Sequence, residues 1–450
     1  MKNYRPVSLL CIISKVMEKV VNASLMNYLE SKNLLSVHQF GFRSGLSAAD
    51  LLTSLNHQWL SCINAGGAVR VLAVDIAGAF DKVSHRGVLH KLRAYGICDA
   101  LHQWLSNYLA FRNLQAVVNG ATSTTFPVTA GVPQGSILGP TLFLVYVNDA
   151  PDVLPSVVKP ATYADDTTLY SLIRDAANAA ETCQDFQTGV DALSKWGSTW
   201  RIQFEPTKSQ AMTISRHRHP WPIAPLRFGP VAVEEVTSLK LLGVTFDKSM
   251  SYSQHLRSVS VRATQRIGFL RKASSVLGPP DRLSVYKGFI RPLMEYCPLV
   301  WSGAAPSHLA RLDKVQKRAL ALMGPGTITD SLALRRAVSG LSLLYKLMCG
   351  PRLPCMAELL PAVADPSNPR TRQQFQVARG HCFQLMQSLP PRSHNTILHA
   401  FPNAYIPIWN SLPSALLQEA PSRRLLQSFK TTSYRYLLKK DWLWATQTYK

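Results

Sequence analysis

The chain has 450 residues, 46% of them hydrophobic, and eight cysteines with no C-x-x-C pair. It exceeds the roughly 100–200 residues of one domain, so about two to four units with sizeable cores are expected, and the cysteine spacing speaks against a disulfide framework or zinc knuckle. The net charge of +23 is uneven, with 22 Lys+Arg against 18 Asp+Glu in residues 1–250 but 27 against 8 in 251–450, which favours a phosphate-rich partner over the bland alternative of a basic surface.

Taken in chain order, residues 14–31 read as a helix with Ser14 as cap and Val16, Val20, Leu25 and Leu29 on one face. A second helix over 47–62 is capped by Ser47. The β-branched run VRVLAVDI (69–76) is a buried strand. Helices follow at 86–95 and 99–111, then two strands within 113–129 around the turn Asn119-Gly120. The Gly/Pro-punctuated loop 131–140 leads into an apolar helix. Residues 161–172 read as a hairpin with an acidic tip, and 175–200 as an amphipathic helix ending near Gly197. Strands are expected at 210–215, 226–236 and 239–246. Basic helices follow at 253–276, 281–296 and 306–323, broken at Gly278-Pro279-Pro280 and within 298–306. Beyond 324 the order is less clear, with a polar linker near 365–374 and a final aromatic, basic segment. The sum is an α+β domain with a helical appendage. No run approaches the ~18 apolar residues of a membrane span. The start MKNYRPVSLL lacks signal-peptide features. An intracellular protein without a membrane partner is expected.

Three acidic residues stand out. Asp75 ends the first strand, and Asp165 and Asp166 form the hairpin tip. If the strands are neighbours in one sheet, their carboxylates meet and repel unless cations neutralise them. Mg²⁺ suits such oxygen ligands, and a pair of ions can serve in-line phosphoryl transfer. The alternative for each residue alone is a strand-end cap or a solvated turn.

The strings NYRPVSLL (3–10), QFGFRSGLSA (39–48), VDIAGAFDKVSH (74–85), GVPQGSILGP (131–140), YADD (163–166), PTKS (206–209) and LKLLGVTFD (239–247) resemble, in order, the polymerase motifs of reverse transcriptases. GVPQGSILGP, AFDKVSH and WNSLP (409–413) resemble non-LTR retrotransposons of the LINE and jockey-like kind. The resemblance implies a right-hand polymerase with an antiparallel palm sheet: partial fingers at 1–68, palm at 69–250 with fingers elements interleaved, helical thumb at 251–330 and a basic C-terminal region at 331–450.

It also implies roles. Asp75 and Asp165 would ligate two Mg²⁺ ions, supported by Asp166 and the Ile76 carbonyl. Phe80 matches the steric gate that disfavours a ribose 2′-OH, against the alternative of a core phenylalanine. Gln134 and Gly135 match the loop supporting template and incoming nucleotide. Arg5, with Lys2 and Arg43, is a candidate triphosphate contact. Lys208 is a candidate general acid or a plain surface lysine. Leu241, Leu242 and Gly243 match the primer grip. Partners would be an RNA template, a DNA primer, their RNA–DNA hybrid and dNTPs, in a ribonucleoprotein of nucleus and cytoplasm. Ala77 departs from the polar residue usual there. No endonuclease or RNase H signature is visible, so an N-terminally truncated copy is expected. Two rivals are an inactive remnant that only binds nucleic acid and an RNA-templated RNA polymerase; Phe80 and YADD speak against the latter.

Overall fold

The computed structural model describes residues 7–217, 221, 223–324, 329–349, 354–361, 385–386, 395–413, 416–417 and 423–439. The chain divides into two compact units. The first is drawn from Met1–Ser47, Arg70–Thr213 and Trp221–Val236, the second from Ala48–Val69, Ile214–Pro220 and Thr237–Lys450.

The first unit is built on a five-stranded sheet in the order β11-β8-β1-β7-β6. Its strands are β1 (Ala68–Val74), β6 (Lys159–Tyr163), β7 (Asp166–Ile173), β8 (Gln210–Ile214) and β11 (Glu234–Glu235). The central β1 is buried at six of its seven positions, as a continuous apolar run requires. β6 and β7 pair antiparallel, with Tyr163 opposite Asp166. β11 runs parallel to β8, with Glu234 opposite Gln210. The sheet is therefore mixed, and the expectation of an antiparallel sheet is corrected at that edge. Parallel pairing needs a crossover, and residues 215–233 provide one. Arg70, buried in β1, holds β11 in place: its guanidinium pairs with Glu235 and donates to Thr213 Oγ1 at 2.9 Å.

The helices of this unit are α1 (Ile12–Ser31), α3 (His85–Ala94), α4 (Asp99–Leu109), α5 (Leu138–Val147) and α6 (Ala179–Thr199). They pack with the sheet around a core that includes Leu25, Leu72, Leu92, Leu142, Phe143 and Phe186. Ser84 caps α3 through the Gly87 N–H, 3.2 Å away. The α5 N-terminus is capped from afar: Glu18 of α1, 1% exposed, accepts from the Ile137 and Leu138 N–H groups at 2.7 and 3.3 Å. A carboxylate there also meets the positive end of the helix dipole. Lys91 of α3 is buried between the Asp149 carboxylate and the Trp200 ring, 3.7 Å from its centroid.

Two expectations for α1 fail. The helix begins at Ile12 without a side-chain cap, so Ser14 lies inside it. Leu25 and Leu29 are buried, but Val16 and Val20 are 59% and 62% exposed. The first turns thus lack the core that covers the last ones. Between α4 and α5 a small ribbon forms from β2 (Asn113–Leu114), β3 (Val117–Val118), β4 (Ala121–Thr122) and β5 (Phe126–Pro127). The expected strand over 226–236 is instead three short pieces, β9 (Arg227–Phe228), β10 (Val231–Ala232) and β11, interrupted at Gly229 with φ +55.

The second unit contains α2 (Ala48–Asn64) and the hairpin of β12 (Ser238–Leu241) with β13 (Val244–Asp247). Its helices include α7 (Ser253–Ala273), α8 (Pro279–Val285), α9 (Arg291–Met294), α10 (Pro298–Trp301), α11 (Pro306–Ala321) and α12 (Leu332–Cys349), with a last helix at Arg423–Lys439. The single helix expected over 281–296 is divided by a π-turn, Tyr286–Ile290. Gly278 separates α7 from α8 as expected, and Pro279 and Pro280 form the first turn of α8, since proline suits a first turn that needs no N–H partner. Trp59 of α2 packs edge-on against Phe246 at 5.2 Å, and Lys346 of α12 pairs with Asp50 at 2.8 Å.

Candidate active site

The residue after β1, Asp75, is fixed on one side by its own backbone. Its N–H donates to Ser209 Oγ at 3.2 Å, and its C=O accepts from the Glu205 N–H at 2.9 Å. The Ala77 N–H donates to the Gln203 C=O at 2.9 Å, and Ile76 bridges antiparallel to Phe204. Because Asp75 and Ala77 make these bonds, the N–H and C=O of Ile76 point the other way. Asp75 keeps its side chain 45% exposed. Lys208 Nζ stands 3.8 Å from its Oδ2 and is itself 67% exposed, so the pair adds little stability.

Asp165 lies in the two-residue turn between β6 and β7 and is partly exposed. The other turn residue, Ala164, has φ +59, a left-handed value that disfavours a Cβ. β7 neighbours β1 in the sheet. Ile76 lines the same cavity as Ala164 and Thr167, which brings the end of β1 close to the turn, although neither Asp75 nor Asp165 lines that cavity. Asp166 opens β7 and is exposed.

Among the described residues, no group of three or more His, Cys, Asp or Glu side chains is arranged to hold one metal ion. The donors expected from the sequence are the carboxylates of Asp75 and Asp165 with the Ile76 carbonyl. Such a set fits Mg²⁺, which is commonly held by one or two carboxylates plus substrate phosphates and water.

The other expected site residues fall as follows. Phe80 is half-buried, stacked on Phe143 at 4.6 Å with Phe42 edge-on at 6.3 Å. Its C=O accepts from the Val132 N–H at 2.8 Å, which joins it to the 131–140 loop. In that loop Gln134 Nε2 donates to Asp81 Oδ1 at 2.8 Å, and Gly135 has φ +101. At Gly131 an added Cβ would meet the Asp81 C=O at 2.7 Å, so only glycine fits that approach. Arg43 forms a two-point ion pair with Glu30 (2.9 and 2.6 Å) and donates to the Ser36 C=O at 2.9 Å. Its guanidinium is a strut within the fold, not an open phosphate ligand. Arg5 and Lys2 lie outside the described residues. Leu241, Leu242 and Gly243 form the β12–β13 turn in the second unit, with φ +44 at Leu242 and +88 at Gly243. The Tyr296 hydroxyl donates to the Leu242 C=O at 2.7 Å.

Two contributors escaped the sequence reading. Ser209 is completely buried behind Asp75, and Gln39, 5% exposed, contacts Ala164. Each stands inside a string that resembles the family's, but no local pattern marks its contact.

The family model "Reverse transcriptase (RNA-dependent DNA polymerase)" matches residues 1–246. A probable RNA-directed DNA polymerase from transposon X-element of Drosophila melanogaster is 31% identical over 327 residues, 71% of this chain and 35% of that protein. The RNA-directed DNA polymerase from mobile element jockey of the same species is 28% identical over 330 residues, again 71% and 35%. The chain thus spans about a third of the length of these curated relatives. Among solved structures, a Candida albicans telomerase in complex with a fragment of telomeric RNA aligns at 10% identity and TM-score 0.36, over 71% of this chain and 59% of that one. No helix among the described residues is long and apolar enough to cross a membrane. The chain belongs to the reverse transcriptase family, and within it resembles the polymerases of non-LTR retrotransposons such as jockey and the X-element.

Proposed function

We infer that this chain is an RNA-directed DNA polymerase, adding dNTPs to a primer 3′-OH on an RNA template. One observation carries the reading: β1, which Asp75 follows, and β7, which Asp165 precedes, are neighbouring strands of one sheet, and the residues beside the two carboxylates, Ile76 and Ala164, line one cavity. Asp75 and Asp165, with Ile76 C=O and support from Asp166, would hold two Mg²⁺ ions. When bound, these neutralise phosphate charge and acidify the primer hydroxyl.

The protein's own part is placement and proton supply. Lys208, 3.8 Å from Asp75 Oδ2, would act as general acid toward the departing pyrophosphate. The Phe80 ring, braced by Phe143, would exclude a 2′-hydroxyl from the sugar site. Gln134 and Gly135 would support the template and incoming nucleotide, and Arg5 the triphosphate. Leu241, Leu242 and Gly243 would grip the primer end. In this reading residues 1–68 are fingers, 69–250 palm, 251–330 thumb and 331–450 a basic appendage. The excess of 27 Lys+Arg over 8 Asp+Glu beyond residue 250 suits the backbone of an RNA–DNA hybrid, held by charge and shape. An intracellular ribonucleoprotein of nucleus and cytoplasm is the corresponding setting.

The test is extension of oligo(dT) on poly(rA) by the purified chain, with and without Mg²⁺. Mg²⁺-dependent extension that Asp165→Asn abolishes, while template–primer affinity stays, supports the reading. A folded wild-type chain that binds the duplex but extends nothing marks a nucleic-acid-binding remnant. Preference for ribonucleotides would point to an RNA polymerase instead.

A further inference from the structure

Ala164 sits in a conformation its own chemistry does not favour. With φ +59 it occupies a region where the Cβ crowds the backbone, directly before Asp165. Something outside the turn must hold it there, and the contacts come from the segment between α1 and α2. His38 C=O accepts from both the N–H and the Oγ1 of Thr162 at 2.9 Å, and the Phe40 N–H donates to the Thr162 C=O at 2.9 Å. Residues 38–40 thereby add a short parallel bridge to the edge of β6. The Gln39 side chain then reaches the turn itself. Its Oε1 accepts from the Ala164 N–H at 2.9 Å and from the Gly41 N–H at 2.8 Å, while its Nε2 donates to the Ala164 C=O at 3.3 Å. One amide therefore binds both backbone groups of the residue preceding the carboxylate, as a neighbouring strand would. Gly41 lies so close that an added Cβ would stand 2.3 Å from Ala164 N.

The segment is anchored in turn. Arg43 pairs at two points with Glu30 of α1 and donates to the C=O of Ser36 and of Gln39. A continuous set of contacts thus runs from α1 through Arg43 and Gln39 to Ala164.

We propose that Gln39 is a positioning residue for the acidic turn: its buried amide holds Ala164 in the left-handed conformation and so fixes where Asp165 presents its carboxylate, with Arg43 as anchor. The effect on catalysis rests on the polymerase reading above; the effect on the turn does not.

The test uses the full chain and two variants: Gln39→Met, which keeps length and removes both amide functions, and Gly41→Ala, which pushes on the turn without touching the amide. Hydrogen exchange of the Ala164 N–H is followed with template–primer affinity and single-nucleotide extension. In Gln39→Met the Ala164 amide should exchange about tenfold faster, the equivalent of one ordinary hydrogen bond, while the Leu169 and Tyr170 amides of β7 keep their protection. Extension should fall about 10- to 100-fold in kcat, the scale of a small misplacement of a reacting group, with KM for dTTP and duplex affinity unchanged. Gly41→Ala should show the same division between kcat and KM. Unchanged Ala164 exchange in Gln39→Met overturns the proposal. So does loss of protection throughout β7 in both variants, which would mark a general structural role. If the wild-type chain extends nothing, the polymerase reading fails alone, and the exchange result still decides the clamp.

Discussion

The hairpin β3–β4 turns through Asn119 and Gly120, with φ +50 and +84. The hairpin β6–β7 turns through Ala164 and Asp165, with φ +59 at the alanine. In the first, Asn-Gly is the pair that local backbone energetics select for a two-residue turn; the strands are exposed, and nothing lies within 4 Å of a Cβ at Gly120. In the second, neither glycine nor asparagine takes the left-handed position, Ala164 there is buried, and the amide of Gln39, 125 residues away in sequence, supplies the constraint. A turn that closes a ribbon can be left to its own residues. A turn whose second residue must present a carboxylate is held from outside. The β12–β13 hairpin stands between these cases, with a glycine at the second position and a tyrosine hydroxyl on the first.

The contrast is tested most sharply at Asp165. Asp165→Asn should reduce extension by about 1,000-fold or more, at the upper end of losing one electrostatic contact to a transition state. Asn119→Ala should leave the extension rate unchanged. Steady-state primer extension reads both, and a comparable loss from the two would erase the distinction.

The next effect is on stability and lies at the β12–β13 hairpin. His255 Nδ1 accepts from the Thr245 N–H at 3.3 Å, which requires a neutral imidazole. Burial first, then the charges of Arg262 and Lys240, lowers its pKa to about 4. The unfolded chain takes up this proton near pH 6.5, where the folded one does not. The contribution is complete above pH 6.5, is lost as pH falls through the window to about 4, and is flat below. Its size is about 3 kcal/mol. Urea unfolding across pH 4–7 should show the slope in wild type and a shallower one in His255→Gln; equal slopes would remove His255 as the cause.

The smallest effects compare two glycines of similar φ. Gly120→Ala meets open space, so its cost should be the backbone term alone, about 1 kcal/mol. Gly243→Ala also brings its Cβ to 3.3 Å from the Tyr296 ring, so its cost should be larger, about 2 kcal/mol. Denaturant midpoints measure both, and equal costs would mean that Tyr296 yields freely.

Much of this was legible in the sequence because it is periodic or local. β1, α2, α3, α4 and the Asn-Gly hairpin follow from apolar spacing and turn residues. Asp75 and Asp165 could be considered together in advance because a strand end and a hairpin tip lie close if their strands are neighbours, and β1 and β7 are. What stayed hidden depends on side chains that serve backbone far away. Gln39 acts on Ala164, Glu18 on the start of α5, Ser209 on Asp75, and no residue type or spacing announces such contacts. Arg43 misled for the same reason: a guanidinium suits a phosphate, but here Glu30 already holds it. Val16 and Val20 sit on the expected stripe of α1, yet the core ends before reaching them.

Iron-mediated cleavage tests the central claim most directly. With Fe²⁺ in place of Mg²⁺, and ascorbate and peroxide added, the backbone is cut near the bound ion whether or not the protein polymerises. Cuts should cluster around residues 74–77 and 163–167 together, and both clusters should vanish in Asp165→Asn. Cleavage confined to one cluster, or persisting unchanged in that variant, would contradict a shared metal site at Asp75 and Asp165.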